Sequence, residues 1–254
     1  MEKEGKYIYC IVSSNQERNF GPIGLRDEEV LTVGYNDLSM IVSSHPMNNL
    51  VVSRKNMISH EKVIESVMSE FSSVLPVRFG TIASSADEVR NLLDRRYREF
   101  TTALSNFDHK IELGVKGLWK SMKTIYKEIT DENKEIKKLK ARLQKDSRKK
   151  NTRAKIEIGK MVEEALARKK EKEALNIVEA LAGPAVDYRL NKTIGDQVFL
   201  NASFLVDTGR EKEFDNIMDD LSQDYKKRVK FKYAGPLPIF NFVDIVIYPQ
   251  EWEI

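Results

Sequence analysis

Val74-Leu75-Pro76-Val77-Arg78-Phe79-Gly80-Thr81 is the stretch around which the rest of the chain is read. Leu75, Val77 and Phe79 share one side of an extended segment; Pro76, Arg78 and Gly80 share the other. Such alternation is a half-buried strand. The proline lacks the N–H that a central ladder needs, so the strand belongs at a sheet edge or at its own start. Gly80 lets another backbone approach, or lets the strand bend. Arg78 lies opposite the apolar set and faces either solvent or a pocket outside the core. A solvated arginine on an ordinary edge strand accounts for it on composition alone.

Upstream, Tyr7 to Val12 is a continuous apolar run, the pattern of a strand buried on both faces. Val30–Tyr35 and Leu38–Val42 flank Asn36-Asp37, which reads as a tight hairpin. Ser53 caps a helix whose apolar stripe holds Met57, Ile64, Val67 and Phe71. His60 completes that stripe at its wet edge, next to charged Glu61. Downstream, Ser85-Ala86-Asp87-Glu88 is a capping box, followed by one helix face of Val89, Leu93, Phe100, Leu104 and Phe107. Three strands, a helix, a strand and a helix suit an α+β sandwich over residues 1–109, with helices laid on one face of a mostly antiparallel sheet.

The second part, 110–254, opens with a strand pattern from Ile111 to Trp119. Met122, Ile125, Ile129, Ile136, Leu139 and Leu143 then recur at coiled-coil intervals, with a polar layer at Glu132 and Asn133. Lys145 to Thr152 is the expected reversal. A second stripe follows through Ile158, Met161, Val162, Ala165, Leu166, Leu175, Val178 and Leu181, and Gly183-Pro184 stops it. The reading is an antiparallel helical hairpin over about 120–182, carried on a sheet domain. Val198 to Val206 is a strand. Thr208-Gly209-Arg210-Glu211 is a second capping box, opening a helix with Phe214, Ile217, Leu221 and Tyr225. Phe231 and Tyr233 begin a further strand, and an apolar run follows from Val243 to Tyr248. That order points to a ferredoxin-like variant, so the expected fold is two ferredoxin-like-type α/β sandwich domains.

Composition bounds the function. Apolar residues make up 41% and charged ones 32%, the balance of a soluble globular protein with a polar portion. No apolar run approaches the ~20 residues of a membrane span. The segment from Met1 to Lys6 is too acidic, and the run after it too short, for a signal peptide. Cys10 stands alone, which excludes a disulfide framework or a thiolate cluster and favours the cytoplasm. Lys120 to Glu173 carries nineteen Lys/Arg against ten Asp/Glu, while the whole chain is only +3. A basic hairpin could meet nucleic acid, but interspersed acids make it the solvated face of a long helix pair. His45, His60 and His109 have no metal-ligand spacing. Gly21-Pro22-Ile23-Gly24 lacks the lysine and hydroxyl of a phosphate loop, and no serine sits in a nucleophile elbow. No catalytic, cofactor or metal residue is expected, and the protein is read as a non-enzyme.

VLPVRFGT resembles the most recognisable block of the gas vesicle GvpF/GvpL proteins. Tyr7-Ile8-Tyr9 with Ile11-Val12, His60 with Val63, and Glu112-Leu113-Gly114-Val115-Lys116 follow in the family's order and spacing. Asn201-Ala202-Ser203-Phe204-Leu205-Val206 is similar to its "NAAYLV" strand. Gly235-Pro236-Leu237-Pro238-Ile239-Phe240-Asn241-Phe242 resembles its closing "GPWPPYSF". Leu237, Ile239, Phe240 and Asn241 depart from that pattern, whereas the glycine, both prolines and the last aromatic are kept. GvpF and GvpL resemble each other too closely to separate here. The resemblance implies an accessory or minor structural protein of gas vesicle formation, cytoplasmic and vesicle-associated. Its partners would be the apolar shell subunit GvpA and other accessory proteins, with no cofactor. Such a subunit assembles through apolar and strand-edge surface that a partner must first occupy. Leu75, Val77, Arg78, Phe79 and Gly80, with Gly235, Pro236, Pro238, Phe240 and Phe242, are the expected contact, Arg78 setting orientation. The alternative is that both blocks only close the two cores, with Arg78 tied to a local carboxylate. A rival from another class is an RNA-binding ferredoxin-like module. Arg78-Phe79-Gly80-Thr81 argues against it, lacking the first glycine and the second aromatic of the RNA-binding consensus.

Overall fold

The structure is a computed structural model that describes residues 4–47, 50–145, 152–243 and 245–247. It is a mixed α+β chain with two antiparallel sheets, in two compact units. Unit 1 takes Met1–Glu112, Asp207–Gly209 and Pro236–Ile254; unit 2 takes Leu113–Val206 and Arg210–Gly235. The expected division lies at 109/110; in the compact units the segment after Gly235 groups with unit 1.

Unit 1 is built on β1 (Glu4–Ser13), in which Tyr7 to Val12 are all fully buried. Each such side chain stabilises the fold by about 1.5–3 kcal/mol when removed from water, so this run anchors the core. β2 (Asn19–Gly21) and β3 (Val30–Tyr35) lead to β4 (Leu38–Pro46), and the turn between β3 and β4 uses Asn36 in the left-handed region. β4 pairs antiparallel along one edge of β1, Ile8 opposite Val42. α1 (Arg54–Met68) begins where Ser53 Oγ accepts the Asn56 N–H at 3.1 Å. Its buried stripe of His60, Val63, Ile64 and Val67 packs with Tyr7, Tyr9 and Val12.

β5 (Val74–Pro76) and β6 (Ile82–Ala83) both pair with the other edge of β1, at Ile11↔Leu75 and Tyr7↔Ile82. The expected strand through Thr81 thus stops at Pro76. The chain stays tied to β1 by Val77 N–H to Tyr9 O and Ile8 N–H to Thr81 O, both 2.9 Å, and turns between them. Gly80 makes that turn with φ +93°, and an added Cβ would meet nothing within 4 Å. Its role is the bend, not a close approach.

The helix expected behind Ser85 is two helices, α2 (Ala86–Arg95) and α3 (Tyr97–Asn106), broken at Arg96. Glu88 completes the cap as expected, accepting the Ser84 N–H at 2.7 Å while its own N–H donates to Ser85 Oγ at 3.2 Å.

Unit 2 opens within β7 (Lys110–Trp119), at Leu113, and Gly117 of that strand lets the Phe199 ring lie where a Cβ would clash at 2.7 Å. α4 (Met122–Glu132) ends at Asn133, which has extended backbone and whose side-chain oxygen accepts the N–H groups of Glu135 and Ile136. The polar layer read in the sequence is thus a break and a new cap, starting α5 (Lys134–Lys145). α6 (Thr152–Leu181) packs against both helices, with Ile177 buried where the expected stripe placed Leu175. Residues 146–151 of the expected reversal lie outside the described residues.

β8 (Ala185–Leu190) was not expected; β9 (Val198–Asp207) was. A 3-10 turn at Thr208–Arg210 precedes α7 (Glu211–Asp224), whose first turn carries no side-chain cap, so the second capping box does not form. β10 (Val229–Leu237) completes a sheet ordered β10-β7-β9-β8. Beyond it the apolar run from Val243 contains no strand among the described residues.

An ionic cluster holds unit 2 together. Arg228 donates to both Glu128 oxygens at 2.6 and 2.8 Å and to Glu173 at 2.7 Å. Lys169 reaches Glu128 and Glu132 at 3.1 and 3.0 Å, and Trp119 Nε1–H donates to Glu173 at 2.7 Å. The hydrogen bond from Arg228 holds the Glu128 carboxyl well below the usual range, at about 2.

Candidate functional site

Three segments of unit 1 enclose a cleft of about 420 Å³. Met57, His60 and Glu61 come from one face of α1, being three and four residues apart. Pro76, Arg78 and Phe79 come from the turn after β5. Phe240, Val243, Ile245 and Val246 come from the returning C-terminal segment.

Hydrogen bonds place that segment. Phe242 and Val243 N–H both donate to Ile239 O, forming a turn. Buried Glu112 then receives the Asn241 backbone N–H at 3.0 Å and its Nδ2 at 2.6 Å. Arg96, at the α2–α3 break, donates to Val246 O at 2.9 Å. The break therefore supplies a strap for the cleft wall.

The floor is aromatic. The His60 ring stacks on Tyr9 at 5.6 Å, meets Phe79 edge-on at 5.6 Å and lies 6.1 Å from Phe240. Gly80 N–H donates to Tyr7 Oη at 3.2 Å, and Tyr7 Oη lies 2.9 Å from His60 Nδ1. Nε2 is buried without a hydrogen-bond partner among the described residues. Burial drives the imidazole down to about 4, against a smaller opposite pull from the Val77 carbonyl, so the ring is neutral at pH 7. Burial also raises the Tyr7 and Tyr9 hydroxyls. On the rim, burial and neighbouring Glu65 raise the Glu61 carboxyl. Arg78 is exposed and makes no ion pair among the described residues.

The structure sorts the expected contact residues. Leu75 and Val77 have no exposed surface and belong to the core, and Val74 to Val77 offers no open length for another strand. Arg78, Phe79 and Phe240 line one cleft although 162 residues separate Arg78 from Phe240. Gly80 is exposed and shapes the turn; Pro238 is buried and Phe242 half-buried. Gly235 and Pro236 are exposed at the end of β10 and do not line the cleft. His60, expected at the wet edge of α1, is instead the buried floor, only 3% exposed. The sequence signal for it was its place on the apolar stripe; neither Tyr7 nor Gly80 is near it in the chain. The Phe79 ring packs edge-on against His60 and Tyr7.

The model of the gas vesicle synthesis protein GvpL/GvpF family matches residues 5–244. The chain belongs to that family. Membership supports a role in gas vesicle formation. Gas vesicle protein F of a Streptomyces species is 28% identical over 241 residues, covering 94% of this chain and 99% of that protein. Gas vesicle protein F1 of Halobacterium salinarum is 25% identical over 228 residues, covering 89% and 86%. The crystal structure of GvpF from Anabaena sp. PCC7120 superposes with a TM-score of 0.82 at 22% identity, covering 96% of this chain and all of that one. That of Microcystis aeruginosa GvpF gives 0.79 at 21%, covering 95% and 99%. The fold of this GvpL/GvpF-family chain is thus shared at low identity. Among the described residues no helix is long and apolar enough to cross a membrane.

Proposed function

We propose that this chain is a non-enzymatic accessory or minor structural protein of gas vesicles. In this reading it is cytoplasmic and vesicle-associated, and it binds the apolar shell subunit GvpA through the unit 1 cleft. The observation that carries the reading is convergence. The VLPVRFGT and GPLPIFNF blocks, far apart in sequence, both line one cleft, with exposed Phe240 and with Arg78, which makes no ion pair among the described residues. An aromatic anchor beside a lone cation is the composition of an interface hot spot. The contact narrows to Arg78, Phe79 and Phe240, with Gly80, Pro238 and Phe242 shaping it. Leu75 and Val77 act from the core, so side chains rather than backbone pairing make the contact.

Unit 2 fits a ferredoxin-like sheet. Strands taken in chain order lie 4-1-3-2, and the helical hairpin fills the first crossover.

The test is capture of co-expressed GvpA by tagged protein. Phe240→Ala and Arg78→Ala each lower the yield by about tenfold, with unchanged circular dichroism. Undiminished capture by both well-folded variants overturns the reading.

A further inference from the structure

β8 is the outermost strand of the unit 2 sheet, and its outer margin is exposed and apolar. Val186, Tyr188 and Leu190 are 53%, 38% and 54% exposed. An apolar edge of this kind is a template for another strand unless it is guarded.

The hydrogen bonds show which residues face outward. Asn191 N–H donates inward, to Asn201 O of β9, at 2.7 Å. Tyr188, opposite Phe204, uses neither backbone group on β9 in this way. Its N–H donates to Asp187 Oδ1 at 2.8 Å, and its carbonyl accepts from the Arg189 guanidinium at 3.4 Å. Asp187 and Arg189 also pair with each other at 2.9 Å. From Asp187 to Asn191 the odd-numbered backbone therefore faces β9 and the even-numbered backbone faces out, the register shifting between Ala185 and Asp187, and two charged side chains close over the outward groups of Tyr188.

This pattern is complementary to itself. When two copies of β8 run antiparallel about a two-fold axis at Tyr188, residue 188 + k faces residue 188 − k. The two Tyr188 residues then exchange both backbone hydrogen bonds. Asp187 faces Arg189 of the second copy, twice, in the pair type where side chains stand closest. The one ion pair within each chain is thereby exchanged for two across the axis, two for two. A two-fold interface requires each patch to match itself, and Asp187-Tyr188-Arg189 does so in backbone and charge.

We propose that the edge of β8 is a homodimerisation site, at which two copies of this chain join their unit 2 sheets by antiparallel β8–β8 pairing centred on Tyr188. The surface is separate from the unit 1 cleft, so the proposal stands whether or not that cleft binds GvpA.

Sedimentation velocity on the full chain, from about 5 to about 500 µM, tests it. The wild type shows a concentration-dependent dimer. Tyr188→Pro, which removes an N–H that β9 does not use, is monomeric with unchanged circular dichroism. Asp187→Arg sets guanidiniums against each other across the axis and weakens the dimer by about tenfold or more. Asp187→Arg combined with Arg189→Asp restores it. A wild type that is monomeric throughout overturns the proposal. So does a dimer that survives Tyr188→Pro, or one weakened by Asp187→Arg that the double exchange fails to restore.

Discussion

Arg228→Ala is expected to destabilise unit 2 by about 3 kcal/mol, because it leaves two partly buried carboxylates without their main cation. Glu128 and Glu173 side chains are only 28% and 17% exposed, and both are committed to the Arg228 guanidinium. Lys169 remains but cannot reproduce a two-pronged guanidinium contact. Arg228→Lys is therefore expected to recover less than half of the loss. The cluster also sets an acid limit. The carboxyl of Glu128 is held at about 2, below the ordinary carboxylate value of 4.5. Its contribution is complete above about 4.5 and is lost as pH falls from there towards 2. Hydrogen exchange of α6 amides, followed in wild type and variant, reads the effect. Unchanged protection in Arg228→Ala contradicts it.

His60 gives the second large effect, in the other unit and in a different pH window. Its folded value of about 4 lies below the ordinary 6.5, so folding favours the neutral ring. The corresponding stability is complete above about 6.5 and lost as pH falls through that value towards 4, with a size of about 3 kcal/mol. His60→Gln keeps an acceptor for the Tyr7 hydroxyl and cannot take up a proton. Its unit 1 stability is expected to be flat from about pH 7 to about pH 4.5, while the wild type falls steeply. Urea unfolding read through β1 amide exchange distinguishes them. Parallel pH dependence in the two proteins would remove His60 as the titrating group.

The sequence was most legible where one element decides its own surroundings. The six-residue apolar run of β1 reads directly as a strand with neighbours on both edges, and the caps at Ser53 and Ser85 form as read. The readings that differ are those settled by distant residues. Nothing near His60 in the chain shows that Tyr7 and Phe79 enclose it. Arg96 breaks a continuous helical stripe while its guanidinium reaches Val246, 150 residues away. β8 alternates as a strand should, but its apolar positions face outward and so resemble a loop after Gly183-Pro184. The block from Gly235 to Phe242 was recognised as a unit, yet its two ends do different work. Gly235 lies exposed near the end of β10, and Phe240 lines a cleft in unit 1 because Glu112 holds Asn241. An edge-strand reading of Val74 to Thr81 captured the inward alternation of Val77 and the outward Arg78. β5 is indeed the outermost strand, but it ends at Pro76 and Val74 to Val77 is buried, so its free side is covered.

Site-specific photo-crosslinking from Met57 tests the central claim most directly, since this residue lines the cleft and is 51% exposed. With a photoreactive residue there and GvpA co-expressed, the account expects a GvpA adduct that Phe240→Ala abolishes. GvpA retained on the protein, but crosslinked only from sites outside unit 1, would contradict it.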